Sequence, residues 1–316
     1  MEFDPNELIG RLPPFDPQQP ARPEDYPRYC ERYGFEFGDL SDTSQLGMLE
    51  IDAEQIAVHL WRHPSPVGTL LIVHGYLDHH GLYRHLIRYG LERQVNLLCF
   101  DLPGHGLSTG KRAAIDSFDS YQRVLEALLD RIDDWQLTRP LHLLGQSTGA
   151  AIINHYLLRH GTESNRLIDG RIAELAPLVR AANWAWVNLL HSLLAPWKGS
   201  VTRGFAANSN DDKFVEFLRR DPLQSPVITA DWIGALKRWL PEFQSLDTIE
   251  RSLLIVQGEK DATVDWRFNL NLLAQKFPNQ QALLLADARH QLANESEPLR
   301  QKYLDWLDQQ GFLQPA

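Results

Sequence analysis

A chain of 316 residues, 43% hydrophobic and 23% charged, can bury the core of one large domain or of one domain with a sizeable insertion. Its formal net charge of −10 argues against nucleic acid or anionic lipid as a preferred partner. No apolar run approaches the ~18 residues of a membrane span, and Met1-Glu2-Phe3-Asp4-Pro5 has neither the basic region nor the apolar run of a secretory signal. Of the two cysteines, Cys30 lies in a polar stretch and Cys99 in an apolar one. Two unpaired thiols suit a reducing compartment, so a cytoplasmic location is expected.

Residues 1–45 carry Pro13-Pro14, Pro17, Pro20, Pro23 and Pro27 among acidic residues. They read as a leader, partly extended, that wraps the core or stays loosely ordered. Residues 46–62 alternate apolar and polar around Asp52-Ala53-Glu54, which predicts two antiparallel strands joined by a short turn. From residue 69 the pattern changes. Short runs at 70–73, 95–100, 141–144, 172–175, 253–256 and 282–285 are apolar on both faces, as in a parallel sheet covered by helices. Helical segments lie between them at 82–93, 118–135, 150–160 and 266–277, and a last one follows at 298–309. The fold class expected is α/β, a mostly parallel doubly wound sheet with an antiparallel N-terminal edge.

The interval between Pro177 and Leu253 is far longer than one crossover helix needs and holds five of the nine tryptophans. Trp186, Leu190, Leu193 and Trp197 share one helical face, and Trp232, Leu236, Trp239 and Leu240 share another. This reads as an inserted helical cap. The organisation expected is a leader over 1–45, a core over 46–177 and 246–316, and a cap over 178–245.

Gly145-Gln146-Ser147-Thr148-Gly149 stands between an apolar strand and a helical segment. That is the strand–turn–helix setting of a nucleophile elbow. The small residues give a tight, strained turn its clearance, and the helix behind it aims free N–H groups at developing negative charge. A serine hydroxyl needs a base. In the fold that carries this elbow the acid and then the histidine follow the serine. His290 is the only histidine after His191 and follows the last strand. Asp261 lies on the loop after strand 253–256, where its carboxylate can hold the imidazole tautomer. Asp265 and Asp287 are rivals, the first as an N-cap and the second as a turn cap. The oxyanion donors expected are the backbone N–H groups of Thr148 and of Tyr76, the latter in His74-Gly75-Tyr76-Leu77. His74 reads as a structural hydrogen-bonding residue. Asp101-Leu102-Pro103-Gly104-His105-Gly106-Leu107-Ser108 does not have the spacing of a phosphate loop and reads as a structural turn. The adjacent His79-His80 pair has poor ligand geometry, so no metal site is expected.

Together these motifs, with Gly81-Leu82-Tyr83, Ala176-Pro177, Asp221-Pro222 and Gly258-Glu259-Lys260-Asp261, resemble the monoacylglycerol lipase and lysophospholipase branch of the α/β-hydrolases, also called the serine aminopeptidase S33 or hydrolase-4 group. The resemblance runs from about residue 46 to 310. It implies hydrolysis of a small-molecule acyl ester by Ser147, Asp261 and His290, with no metal and no organic cofactor. It also implies a cap over an apolar acyl tunnel. Trp186, Leu190 and Trp232 are the candidates to line that tunnel, and the cap is the part that would make transient contact with lipid surfaces. The elbow departs from the usual His-Ser-Met-Gly-Gly, and the leader lies outside the usual pattern. The motifs are specific for the fold and for serine hydrolysis but not for a substrate. The same triad serves thioesterases, amidases and acyltransferases, whereas a binding protein of this fold would lack the nucleophile or the histidine.

Overall fold

The structure, a computed structural model, describes residues 4–41, 43–195, 197, 199–204 and 208–314. Two short helices come first, α1 (Pro5–Ile9) and α2 (Tyr26–Tyr33). Strands β1 (Thr43–Ile51) and β2 (Glu54–Arg62) form the expected hairpin, with Ile51 opposite Glu54. The alternating units follow: β3 (Gly68–Val73), α3 (Arg84–Leu91), β4 (Val95–Phe100), α4 (Asp119–Asp134), β5 (Leu141–Gln146), α5 (Thr148–His160), a short α6 (Ser164–Leu167) and β6 (Ile172–Leu175). An insertion carries α7 (Trp184–Leu194), β7 (Ser200–Thr202), α8 (Asp212–Arg219), β8 (Val227–Thr229) and α9 (Ala230–Ser245). The chain then returns through β9 (Leu254–Gly258), α10 (Trp266–Lys276), β10 (Gln281–Leu285) and α11 (Glu297–Gln309). No helix among the described residues is long and apolar enough to cross a membrane.

Eight strands form one sheet in the order β1-β2-β4-β3-β5-β6-β9-β10. β1 and β2 pair antiparallel, β2 meets β4 antiparallel, and every later pairing is parallel. Side chains alternate across the sheet. Leu71 and Val73 of β3 join one apolar cluster with α4, α5 and α9, while Leu70 and Ile72 join the other with α2, α3 and α11. β10 departs from the sequence expectation: it is the last strand, has one neighbour, and leaves Leu284 43% exposed.

The leader is more ordered than its prolines suggest. The Phe15 N–H donates to the Met48 carbonyl and the Met48 N–H to the Pro13 carbonyl, each at 2.7 Å. This covers an edge that would otherwise present unpaired backbone groups. Leu8, Tyr26, Tyr29 and Tyr33 are buried in the second cluster. Proline restrained the backbone there, and the aromatic side chains supplied the burial. Cys30 and Cys99 are both free thiols.

One buried group works against stability. Glu174 on β6 lies on the same strand face as Ile172, and neither of its carboxylate oxygens has a hydrogen-bond partner of normal geometry among the described residues. Burial pushes its pKa from 4.5 up to about 8, against a smaller opposing effect of Asn154. The folded state therefore holds a proton that the unfolded chain has lost. Stability should fall as pH rises from about 4.5 to about 8, by on the order of a few kcal/mol from this group. Glu174→Gln should remove that slope and be the more stable protein at pH 8. Urea melts of both proteins from pH 5 to pH 8.5 check this; parallel stability curves would contradict it.

Candidate active site

Ser147 sits at the end of β5 with φ 53° and ψ −113°, a region that costs a non-glycine residue conformational energy. Packing on both sides enforces the turn. A Cβ on Gly149 would lie 2.0 Å from the Val73 carbonyl oxygen, and one on Gly145 would lie 2.6 Å from the Ala150 nitrogen. The Ser147 N–H donates to the Leu175 carbonyl at 2.9 Å, so the neighbouring strand end fixes the elbow as well.

The structure brings Ser147, His290 and Asp261 together. His290 Nε2 is 3.1 Å from Ser147 Oγ, and His290 Nδ1 is 2.7 Å from Asp261 Oδ2. All three are buried. Asp261 also accepts from the Thr263 and Val264 N–H groups at 2.8 and 3.1 Å and from Gln257 Nε2 at 3.1 Å. Burial would raise its pKa, but His290 and the Thr263 and Val264 amides hold the carboxyl below its ordinary range. Burial likewise opposes a proton on His290, and the charge and hydrogen bond of Asp261, with help from Asp78, outweigh it and raise the imidazole's pKa.

The rival carboxylates are elsewhere. Asp265 caps α10 through the Phe268 N–H and pairs with Arg180 at 2.6 Å. Asp287 does not cap a turn as expected. Its side chain is exposed and pairs with Lys260 at 2.7 Å.

Tyr76 and Thr148 both border the cavity above Ser147. Among the described residues no turn, loop or cap hydrogen bond occupies either amide. The Tyr76 side chain ties the sheet domain to the insertion: its ring stacks on Trp232 at 3.8 Å, and its hydroxyl donates to the Ala113 carbonyl at 2.8 Å. His74 is a hydrogen-bonding strut. Its Nδ1–H donates to the Gly75 carbonyl at 2.8 Å and its Nε2 accepts the Leu102 N–H at 2.9 Å, so burial holds it neutral, with a pKa of about 3. The turn after β4 is structural: Asp101 accepts from the Leu107 and His80 N–H groups at 2.8 and 2.7 Å.

The cavity has a volume of about 340 Å³. Leu178, Val187, Leu218, Ile228, Trp232, Ile233 and Val264 form its apolar walls. Val187, Ile228 and Ile233 also wall a second apolar cavity of about 260 Å³, which Leu190 borders. Of the three predicted lining residues, Trp232 lines the first cavity and Leu190 only the second. Trp186 lines neither and is 66% exposed. Helix α7 carries Asn188, His191 and Ser192 on one side and Trp186, Leu190 and Leu193 on the other; Val187 and His191 turn inward, and the apolar Trp186 face, which the sequence marked for burial, turns out.

Sequence reasoning missed the polar end of the cavity. Asp78 there receives both contacts of Gln291 Nε2, at 2.9 and 3.0 Å, and the Tyr83 hydroxyl at 3.1 Å, while Arg203 lines the same end. Asp78 stands two residues after the predicted donor Tyr76 and Gln291 follows His290, so proximity to those residues was the available signal. Gln146, the departure in the elbow, uses its Oε1 to accept the Ala293 N–H at 2.9 Å. It thereby fastens the elbow to the histidine loop.

A family model described as serine aminopeptidase, S33 (Hydrolase_4) matches residues 64–297. The chain is 34% identical over 92 residues to phospholipase YtpA of Bacillus subtilis, a match covering 29% of this chain and about a third (35%) of that protein's length. It is 25% identical over 230 residues to the monoacylglycerol lipase of Mycolicibacterium smegmatis, covering 71% of this chain and 81% of the relative. Its structure is similar, with a TM-score of 0.72 at 17% identity, to a soluble variant of monoglyceride lipase from Saccharomyces cerevisiae in complex with a substrate analog, over 88% of this chain and 97% of that one. With the mixed eight-stranded sheet and the family match over most of its length, the chain belongs to the hydrolase-4, or serine aminopeptidase S33, family of α/β-hydrolases.

Proposed function

We propose that this protein hydrolyses carboxylic esters with medium or long acyl chains, of the monoacylglycerol or lysophospholipid kind, through an acyl-enzyme on Ser147. The observation that carries this reading is the hydrogen-bonded series Ser147–His290–Asp261 beneath a largely apolar cavity. The names of the phospholipase and monoacylglycerol lipase relatives agree with it. His290 Nδ1–H donates to Asp261, which leaves Nε2 free to accept the serine proton as Oγ attacks the ester carbonyl. Asp261 stabilises the imidazolium, and the tetrahedral oxyanion takes hydrogen bonds from the Tyr76 and Thr148 amides. The imidazolium returns its proton to the departing alcohol. Water, deprotonated by His290, then attacks the acyl-enzyme and releases the carboxylic acid and free Ser147. These steps require no metal or organic cofactor.

Ser147→Ala should lose at least ~10³-fold in ester turnover, because such a triad acts as a unit. A fluorophosphonate should label Ser147 in the wild type. Asp261→Asn should fold and lose about 10⁴-fold in kcat, since it favours the wrong imidazole tautomer, whereas Asp265→Asn should not. Labelling at another serine, or near-normal turnover in either triad variant, would sink the assignment.

The pH profile follows from the histidine. The base must be neutral, and His290 is raised above its ordinary value of 6.5. Activity should therefore fall on the acid side with a midpoint above 6.5, and the residual activity of Asp261→Asn should show that midpoint moved down. A wild-type limb below pH 6 in kcat/KM, after a check that the protein stays folded, counts against His290 as the base.

The apolar cavity predicts chain-length selection. Each buried methylene contributes about 0.8 kcal/mol, so kcat/KM should climb about threefold to fourfold per CH₂ until the cavity fills. Val187→Phe should lower the preferred length while acetate esters change little, and Trp186→Ala should leave the profile unaltered. The measurement is kcat/KM from acetate to laurate esters. A flat profile, or a Val187→Phe variant that scales all lengths equally, would mean that this cavity does not read the acyl chain.

A further inference from the structure

We propose that leader helix α2 is a positioning element for both the oxyanion loop and the cap, with Tyr33 as the residue that joins them. The proposal rests on the reading of Tyr76 as an oxyanion donor. Asp221 follows α8 in the insertion, and its carboxylate is buried. One oxygen accepts the Tyr33 hydroxyl at 2.7 Å and the Leu223 N–H at 3.2 Å. The other lies 2.7 Å from His79 Nε2. A single carboxylate thus holds three pieces of chain: the leader, the loop after β3 and the insertion.

The neighbouring contacts repeat this arrangement. The Tyr33 ring meets the His79 ring edge-on at 5.2 Å and that of Phe217, on α8, at 5.9 Å. Arg32 donates to the Arg220 carbonyl at 3.1 Å, and its guanidinium lies 5.4 Å from the Phe217 ring centre. One turn earlier, the Tyr29 hydroxyl meets His80 Nε2 at 2.7 Å, while His80 Nδ1 faces Asp101 at 2.7 Å. Helix α2 therefore holds both histidines that end the turn carrying Tyr76. That turn is closed by the Asp78 N–H on the Gly75 carbonyl at 3.1 Å, and Asp78 borders the cavity. On the cap side Leu218, in the last turn of α8, borders the same cavity. A shift at Asp221 would move the donor loop and a cavity wall together. Core filling alone does not require this: a phenylalanine at 33 would pack as well and leave Asp221 with one partner fewer.

The test compares Tyr33→Phe with Tyr89→Phe. The Tyr89 hydroxyl also donates to a carboxylate, Asp308 at 2.9 Å, but it joins α3 to α11 away from the cavity. Tyr33→Phe should lower kcat about tenfold with KM for an acetate ester within about twofold, as expected when a loop is displaced without loss of a substrate contact. Tyr89→Phe should keep kcat within about twofold. Hydrogen exchange without substrate should quicken at residues 75–80 and 218–223 in Tyr33→Phe only. Should Tyr33→Phe not fold, Arg32→Ala should quicken exchange at 214–223. Equal kcat and equal exchange in the two tyrosine variants overturn the proposal. A wild type that hydrolyses no ester refutes the reaction instead, and exchange alone then decides the positioning role.

Discussion

Helix α5 begins so close to the end of β3 that nothing larger than hydrogen fits on Gly149 facing the Val73 carbonyl. This contact is the constraint on which the site depends. It pins the start of α5 against the strand that leads into Gly75 and Tyr76. The two amides proposed as oxyanion donors, one from each segment, are thereby held at one edge of the sheet. The same closeness forces Ser147 into positive φ and lifts its side chain out of the strand line. The energy of that strained residue is offset by the hydrogen bonds of its N–H to Leu175 and of its carbonyl to Leu178 and Ala151.

Burial acts differently on the ionisable groups around this edge. His74 and His105 hydrogen-bond to backbone groups rather than to a carboxylate, and loss of water outweighs the charge of nearby Asp101 and holds them neutral, with pKa values of about 3 and about 4. His290 and His79 are as deeply buried, yet each faces a carboxylate that outweighs desolvation and raises it. A specific partner, more than depth, separates the struts from the imidazole proposed to move a proton. Glu174, with no such partner, gives up its charge instead.

The insertion has two faces of unlike fate. Trp232, Leu236, Trp239 and Phe243 of α9 pack into the core, with Trp239 stacked on Phe118 at 4.7 Å. The outer face of α7 leaves Trp186, Leu190, Leu193 and the following Trp197 51–89% exposed. Helix α9 is anchored to the core through Tyr76, Ala113 and Thr229, whose hydroxyl also caps its first turn. Between the two helices, Val187, Ile228 and Ile233 separate the cavity over Ser147 from its apolar neighbour.

The sequence by itself determined the strand and helix alternation, the hairpin at the edge, the glycine-flanked turn at Ser147 and which histidine meets it. Each of these is a local pattern: strand period, apolar run length, glycine spacing and chain order. It favoured Asp261 over its rivals Asp265 and Asp287 by loop placement and family resemblance, and the folded chain shows that Asp261 is the one that reaches His290 Nδ1. It favoured Trp186 as a lining residue because Trp186 lies on the apolar face of its helix, and the tertiary structure decided otherwise: Val187 and His191 turn inward and the Trp186 face is left exposed. It read the leader from its prolines, while the burial of Tyr26, Tyr29 and Tyr33 depends on histidines and a carboxylate far along the chain. Local periodicity fixes elements. Which distant polar groups meet in the interior is a property of the closed chain, since each hydrogen bond there is formed between segments that sequence spacing does not relate.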